Sequence, residues 1–343
     1  MLIRLTGRGV DMPIDTEAKY HHLIPRAYLS AWEFGKGTLN VEFLSDPGTI
    51  VPRNKDNIAG ITDYHSIKAG MPICTQNDTD LIFAPLSSYK VVLDGRQLTN
   101  TLEMNERFGE FEKWDITRQD GTKVRKKPIL REIEKVKIKD IERNWSEKYE
   151  NYWPEQVSKI EKSILTSSTD HVKAFDKEFI MKFFVALDWR SFTSNEQFDA
   201  MLDLLLIGLE DTVIPQEARI LPQIKTAKEE MRHYLLLNYY RQYLNDSGVM
   251  IEYVKAYLKK TSFHFLVSDG SAHFITSDNP SFIHKAETSS LMGLLPITPK
   301  ILMIQGRDES NADCYYITHI SEEEVQHYNR IIREHADSFV VHK

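Results

Sequence analysis

Ser262-Phe263-His264-Phe265-Leu266-Val267-Ser268, then Asp269-Gly270, then Ala272-His273-Phe274-Ile275-Thr276, is the stretch whose reading decides the fold class. Two runs rich in aromatic and β-branched residues flank an Asp-Gly pair, the signature of a β-hairpin. Further strands are expected near 300–305 and 314–319. Ser321 with Glu324 forms a capping box, which predicts a helix to about Ala336. Val340-Val341 then reads as extended. The C-terminal part, 249–343, is thus a mostly antiparallel sheet plus a final helix.

Working back from there, the period changes. Between 129 and 248 the pattern is helical, with amphipathic segments over 129–166, 171–192, 195–210 and 223–245. Pro215 and Pro222 mark the loop between the last two, and Gly248 sits where a helix end wants it. Residues 68–128 are rich in turn residues and charge. They read as a β-rich insertion, with Asp94-Gly95 and Asp120-Gly121 as hairpin signals and 115–125 as an exposed hairpin. The N-terminal segment, 1–67, belongs to the core. Within it, 13–67 reads as an extended lead-in, a helix from Pro25 to about Phe34, and short strands such as 40–44. The sum is α+β: a helical middle packed on the C-terminal sheet.

The bulk properties set bounds. With 343 residues, 41% hydrophobic and 27% charged, the chain can bury a large core. A formal net charge of −7 argues against a surface attracting nucleic acid everywhere, and leaves room for a local basic groove. Lys123, Arg125, Lys126, Lys127 and Arg131 form the most basic patch; a solvated hairpin explains it better than contact with a nucleic-acid backbone. Two cysteines, Cys74 and Cys314, form no metal-like pair, so a reducing cytoplasm is the default. No apolar run is long enough for a membrane span and no signal-peptide pattern opens the chain, so no membrane partner is expected.

Candidate chemistry gathers in two places. Tyr20-His21-His22-Leu23-Ile24-Pro25-Arg26-Ala27-Tyr28-Leu29 puts two histidines and an arginine around a proline that opens a helix, where anions bind readily. Adjacent residues of an extended segment face opposite ways, so one histidine alone meets a given site, and His22 is favoured. Thr276-Ser277-Asp278-Asn279-Pro280 ends a strand abruptly; an Asx turn is the plain explanation, a strand-end site the sharper one. Arg190 falls on the apolar face defined by Phe175, Phe179, Phe183 and Leu187. A guanidinium there needs a carboxylate or a phosphate-like ligand, unless it caps the helix or reaches solvent. Asp278 is a candidate partner for Arg190 or His22. His22, Asn57 and His65 loosely follow the histidine–asparagine–histidine order of ββα-metal nucleases, but a helix at Pro25 stands where that fold needs a loop. Walker A, dinucleotide, nucleophile-elbow and zincin motifs are absent.

The same residues carry a resemblance. His21-His22-Leu23-Ile24-Pro25-Arg26-Ala27-Tyr28-Leu29 resembles the opening motif of the bacterial domain-of-unknown-function family 4238. Residues 274–280 resemble its second motif and Leu295-Pro296-Ile297-Thr298-Pro299-Lys300 its third, with Arg190 and Asn329 similarly placed. Residues 68 to about 128 are extra to that pattern. The resemblance implies a shared site at His22, Arg190 and Asp278 but no known reaction; its bacterial and mobile-element setting implies a defence or toxin role by analogy. The expectation is a nuclease-like hydrolase of phosphate or phosphodiester substrates. His22, Asp278 and Arg190 would be catalytic, and Arg26, His21, Asn279 and Ser277 would hold substrate, with a divalent metal compatible with the same groups. The alternative is a binding module for a nucleotide, a protein partner or a second copy, or a structural polar network.

Overall fold

A computed structural model describes residues 20–191, 196–209, 212–260, 262–285, 291–306 and 313–343. The extended lead-in expected at 13–19 and the helix ends expected at 192, 195 and 210 lie outside the described residues. The chain divides into two compact units. Among the described residues, His65–Asp140 form the smaller one, and Tyr20–Tyr64 with Ile141–Lys343 form the larger. The segment 68–128 falls inside the smaller unit. The fold is α+β, with 44% helix and 25% strand.

The larger unit is built on two main sheets. The six-stranded sheet runs in the spatial order Phe282–Lys285, Leu291–Thr298, Ile301–Gly306, Ser262–Ser268, Cys314–Ile320, His171–Lys173. Every pairing in it is antiparallel except Ser262–Ser268 with Cys314–Ile320. The four-stranded antiparallel sheet runs Thr276–Ser277, Phe339–His342, Thr38–Phe43, Ile50–Asn54. A short antiparallel pair joins Tyr20–His22 to Gly60–Thr62.

The hairpin expected across Asp269-Gly270 does not form. Ser262–Ser268 is flanked on both edges by Ile301–Gly306 and Cys314–Ile320, so it offers no edge to residues 272–276. Phe263, Phe265, Leu266 and Val267 are all buried, the mark of a strand covered on both faces. The chain after Gly270 crosses instead to the other sheet, where Thr276–Ser277 pairs with Phe339–His342. The final capping box is as expected: Ser321 accepts from the Glu324 amide and the helix runs Glu322–Glu334.

The helical middle is more broken than its periodicity suggests. The stretch 129–166 holds the helices Lys126–Lys135, Asp140–Trp145 and Trp153–Leu165, with a π-helical turn at Ser146–Glu150. The stretch 171–192 splits into the strand His171–Lys173 and the helix Lys177–Arg190, because Asp176 adopts φ 45° between them. An unanticipated helix, Gly248–Lys260, follows Ala227–Leu244. Gly248 has φ 79°, and a Cβ there would meet the Gln242 side chain at 2.2 Å, so both conformation and space require glycine.

In the smaller unit, Tyr89–Leu93 pairs with Arg96–Leu98 through Asp94-Gly95, both at positive φ as a type I′ turn demands. Asp115–Arg118 turns back through Gly121, closing on the Arg118 amide and the Thr122 carbonyl. In the basic patch, Lys123 pairs with Asp115 at 3.2 Å and Lys126 lies 3.8 Å from Glu112.

Candidate functional site

The site around His22 is assembled by the short strand Tyr20–His22. Its partner strand carries Gly60 opposite His22, and a Cβ at Gly60 would fall 2.7 Å from the His21 carbonyl. The alternation expected of an extended segment holds: His21 is fully buried and His22 half-buried. A side chain with no exposed surface supports the site from within, so His21 does not meet a substrate directly. A ring nitrogen of His21 and a carboxylate oxygen of Glu142 lie within 4.8 Å of one another.

His22 itself is tied through Nε2 to the Asp56 carbonyl at 3.2 Å. A carbonyl only accepts, so Nε2 carries the proton and, in the neutral ring, Nδ1 keeps its lone pair. Among the described residues no protein group hydrogen-bonds Nδ1. Burial holds the imidazole pKa below its ordinary 6.5; Arg26 pushes the same way, against the Asp56 hydrogen bond and the charges of Glu142 and Glu150. At neutral pH His22 is therefore an uncharged base.

Pro25 starts a helix as expected, but that helix covers only Arg26–Leu29 before a 3-10 turn at Ser30–Trp32. One turn of helix aligns too few peptide dipoles to form an anion site by itself. Arg26 instead pairs with Asp56 at 3.0 Å, with both side chains more than half exposed. Such a pair is weak and open to exchange for another anion.

Of the alternatives its position left open, Arg190 takes a carboxylate partner, and that partner is Glu150. Nη1 donates to Glu150 Oε1 at 2.7 Å, Nη2 donates to the His22 carbonyl, and the guanidinium lies over the Trp145 ring at 4.9 Å. The Arg190 side chain is 1% exposed and Glu150 16%. Arg190 thus fixes the backbone of His22 from inside the core and has no surface for a substrate. Glu150 closes the π-helical turn. Such turns recur at functional sites, and nothing in the helical periodicity marks this one.

Asp278 is engaged elsewhere. Its carboxylate accepts from the amides of Asp337 at 2.9 Å, Ser338 at 2.6 Å and Phe339 at 3.3 Å. Burial raises its pKa, partly offset by these amides. Ser277 Oγ donates to the Asn279 carbonyl and accepts from its amide, and Asn279 Nδ2 donates to the His335 carbonyl. Ser277, Asp278 and Asn279 therefore hold the turn between the last helix and the last strand. Among the described residues, no hydrogen bond joins Asp278 to His22 or Arg190.

The two motifs do meet, six residues further along the first. The Tyr28 hydroxyl donates to the Pro296 carbonyl at 2.8 Å, so the Thr276 hydroxyl, also at 2.8 Å, must donate to the Tyr28 oxygen. Trp32 Nε1 donates to the Phe274 carbonyl at 2.9 Å. Asn329 Oδ1 accepts from the Ile275 amide, and its Nδ2 donates to the His273 carbonyl. All three sequence motifs and the last helix are thereby locked into one core.

The chain belongs to the family described as Protein of unknown function (DUF4238), whose match spans residues 20–343. No curated protein and no solved structure matches it. No helix among the described residues is long and apolar enough to cross a membrane.

Proposed function

We propose that the chain is a hydrolase of phosphate or phosphodiester bonds, nuclease-like in its chemistry, with His22 as the general base. One observation carries this reading: the half-buried His22 has Nε2–H held by the Asp56 carbonyl, an Nδ1 lone pair that no described residue claims, and a pKa that burial lowers. An imidazole so held can take a proton from water or a hydroxyl as its oxygen attacks phosphorus; the P–O bond to the leaving group breaks, and the leaving oxygen takes a proton from the imidazolium or from solvent. Arg26 would exchange Asp56 for a substrate phosphate. Arg190 and Glu150 are positioning residues that act through the His22 backbone. Asp278 has no part in this chemistry, since its carboxylate is spent on three amides.

The buried Arg190–Glu150 pair favours a second reading, a non-catalytic module in which the polar groups tie elements together and Arg26 recognises a nucleotide or an acidic partner. The two separate by assay. Wild type, His22→Ala and Arg26→Gln are compared on single- and double-stranded DNA, on RNA and on a chromogenic phosphodiester, with and without Mg²⁺ or Mn²⁺. Toxicity on expression in bacteria is followed in parallel, as a defence or toxin role requires. Turnover that His22→Ala abolishes without loss of folding supports the hydrolase; no turnover by wild type on any substrate rejects it.

A further inference from the structure

The larger unit holds a second polar concavity that the His22 site does not use. A cavity of about 280 Å³ opens between the segment 273–275, the helix Glu322–Glu334 and the end of the strand Phe339–His342. Asn329 builds it. By accepting from the Ile275 amide at 3.0 Å and donating to the His273 carbonyl at 2.9 Å, it pins one wall to the helix.

The lining includes no acidic side chain and three cationic ones, Arg330, Arg333 and Lys343. They differ in how their charge is met. Arg333 is held in a fork on Glu42, at 2.8 and 2.6 Å, and the same carboxylate accepts from His342 and from the Gly48 amide. That pair is internally neutral and stiffens the rim. Lys343 Nζ donates to the Ala31 and Glu33 carbonyls, which fix its position without cancelling its charge. Arg330 makes no hydrogen bond or ion pair with any described residue, and neither does the Gln326 amide beside it. Among the described residues, the cavity thus presents two cations that no carboxylate side chain pairs with, the Gln326 amide and the His273 imidazole. Burial, followed by the charges of Lys300 and Lys343, lowers the His273 pKa and keeps that ring neutral.

We propose that this cavity binds a phosphate dianion, either inorganic phosphate or the phosphate of a small monoester. Arg330 and Lys343 together suit a dianion, and a guanidinium fork suits phosphate geometry. No Phe, Tyr or Trp lines the cavity, so it offers no large aromatic face for a nucleobase. Its volume, just under the roughly 300 Å³ at which drug-sized sites begin, suits a phosphate with at most a small appendage.

The test is isothermal titration of the full chain with inorganic phosphate and, separately, with glycerol 3-phosphate, at fixed ionic strength. Saturable binding of at least one is expected, and the tighter of the two identifies the source. Arg330→Gln, at an exposed position, should weaken binding about tenfold or more, as loss of a charge-assisted contact does. Lys343→Gln should do the same and serves as the second variant. His22→Ala should bind like wild type, which separates this cavity from the proposed hydrolytic site. The proposal is overturned by no saturable binding below roughly 10 mM, by unchanged affinity in both cation variants, or by loss of binding in His22→Ala.

Discussion

The Tyr28 hydroxyl lies 2.8 Å from Thr276 Oγ1, and both residues are fully buried although 248 positions separate them. With the Pro296 carbonyl on its other side, this hydroxyl joins the three motifs of the chain by hydrogen bonds alone. The residues that first suggest a catalytic union of distant segments are thus neighbours of a structural one.

Tyr28→Phe removes both bonds and strands a buried hydroxyl and a buried carbonyl. The expected cost is about 1–3 kcal/mol, read from chemical denaturation. Thr276→Val should cost less, because the Tyr28–Pro296 bond survives. In a double-mutant cycle the two losses should not add; additive losses would mean the pair is not coupled.

Glu150→Ala leaves Arg190 as an uncompensated charge that is 1% exposed. Breaking such a pair costs roughly 3–5 kcal/mol. The backbone at His22 should loosen with it, visible as faster amide exchange around residues 21–23. A loss below about 1 kcal/mol, in the range of a surface pair, would show that water reaches the guanidinium.

Asp278→Ala should destabilise by about 2–4 kcal/mol, since three amides lose a charged acceptor. The pKa of His22, followed by NMR, should not move. A shifted His22 titration in a folded Asp278 variant would restore Asp278 to the site.

His22 is held below its ordinary pKa of 6.5 first by burial, and Arg26 adds to the lowering. Arg26→Gln should therefore raise the His22 pKa and move the acid limb of any pH–rate profile upward. Glu150→Gln should lower it. The depressed value also means that stability falls as pH drops below 6.5, because the unfolded state takes up the proton first. An Arg26→Gln titration identical to wild type would refute the electrostatic account of this site.

Asp188, two residues before Arg190, is pushed up to about 7 by burial, from an ordinary 3.8. Between those values the folded state holds a proton that the unfolded state has released. Stability should thus fall by about 1.4 kcal/mol per pH unit across that window, with the cost complete above about 7. Asp188→Asn should remove this slope and leave the protein more stable than wild type at pH 8. Parallel stability curves for the two proteins would contradict the assignment.

The sequence by itself determined what is local. Asp94-Gly95 reads as a hairpin signal and does join two paired strands, with both residues at positive φ, which few other residues tolerate in succession. Ser321 with Glu324 caps its helix, and the alternation of His21 and His22 about an extended backbone is as written. That Arg190 on an apolar helix face needs a carboxylate or a phosphate-like ligand, unless it caps the helix or reaches solvent, was also legible from position.

Only the tertiary structure decided which carboxylate. Glu150 lies 40 residues away on a π-helical turn that no periodicity encodes, and Asp278, the reasonable choice on paper, satisfies three amides near the chain's end. The strand Ser262–Ser268 misleads for the same reason. Its alternation is compatible with a hairpin, but pairing depends on which edges other segments already occupy. The cationic cavity likewise exists only because Asn329 joins the last helix to the segment 273–275, 54 positions before it. Local pattern fixes backbone conformation through sterics and capping; partners far apart in sequence are chosen by the packing of the whole chain.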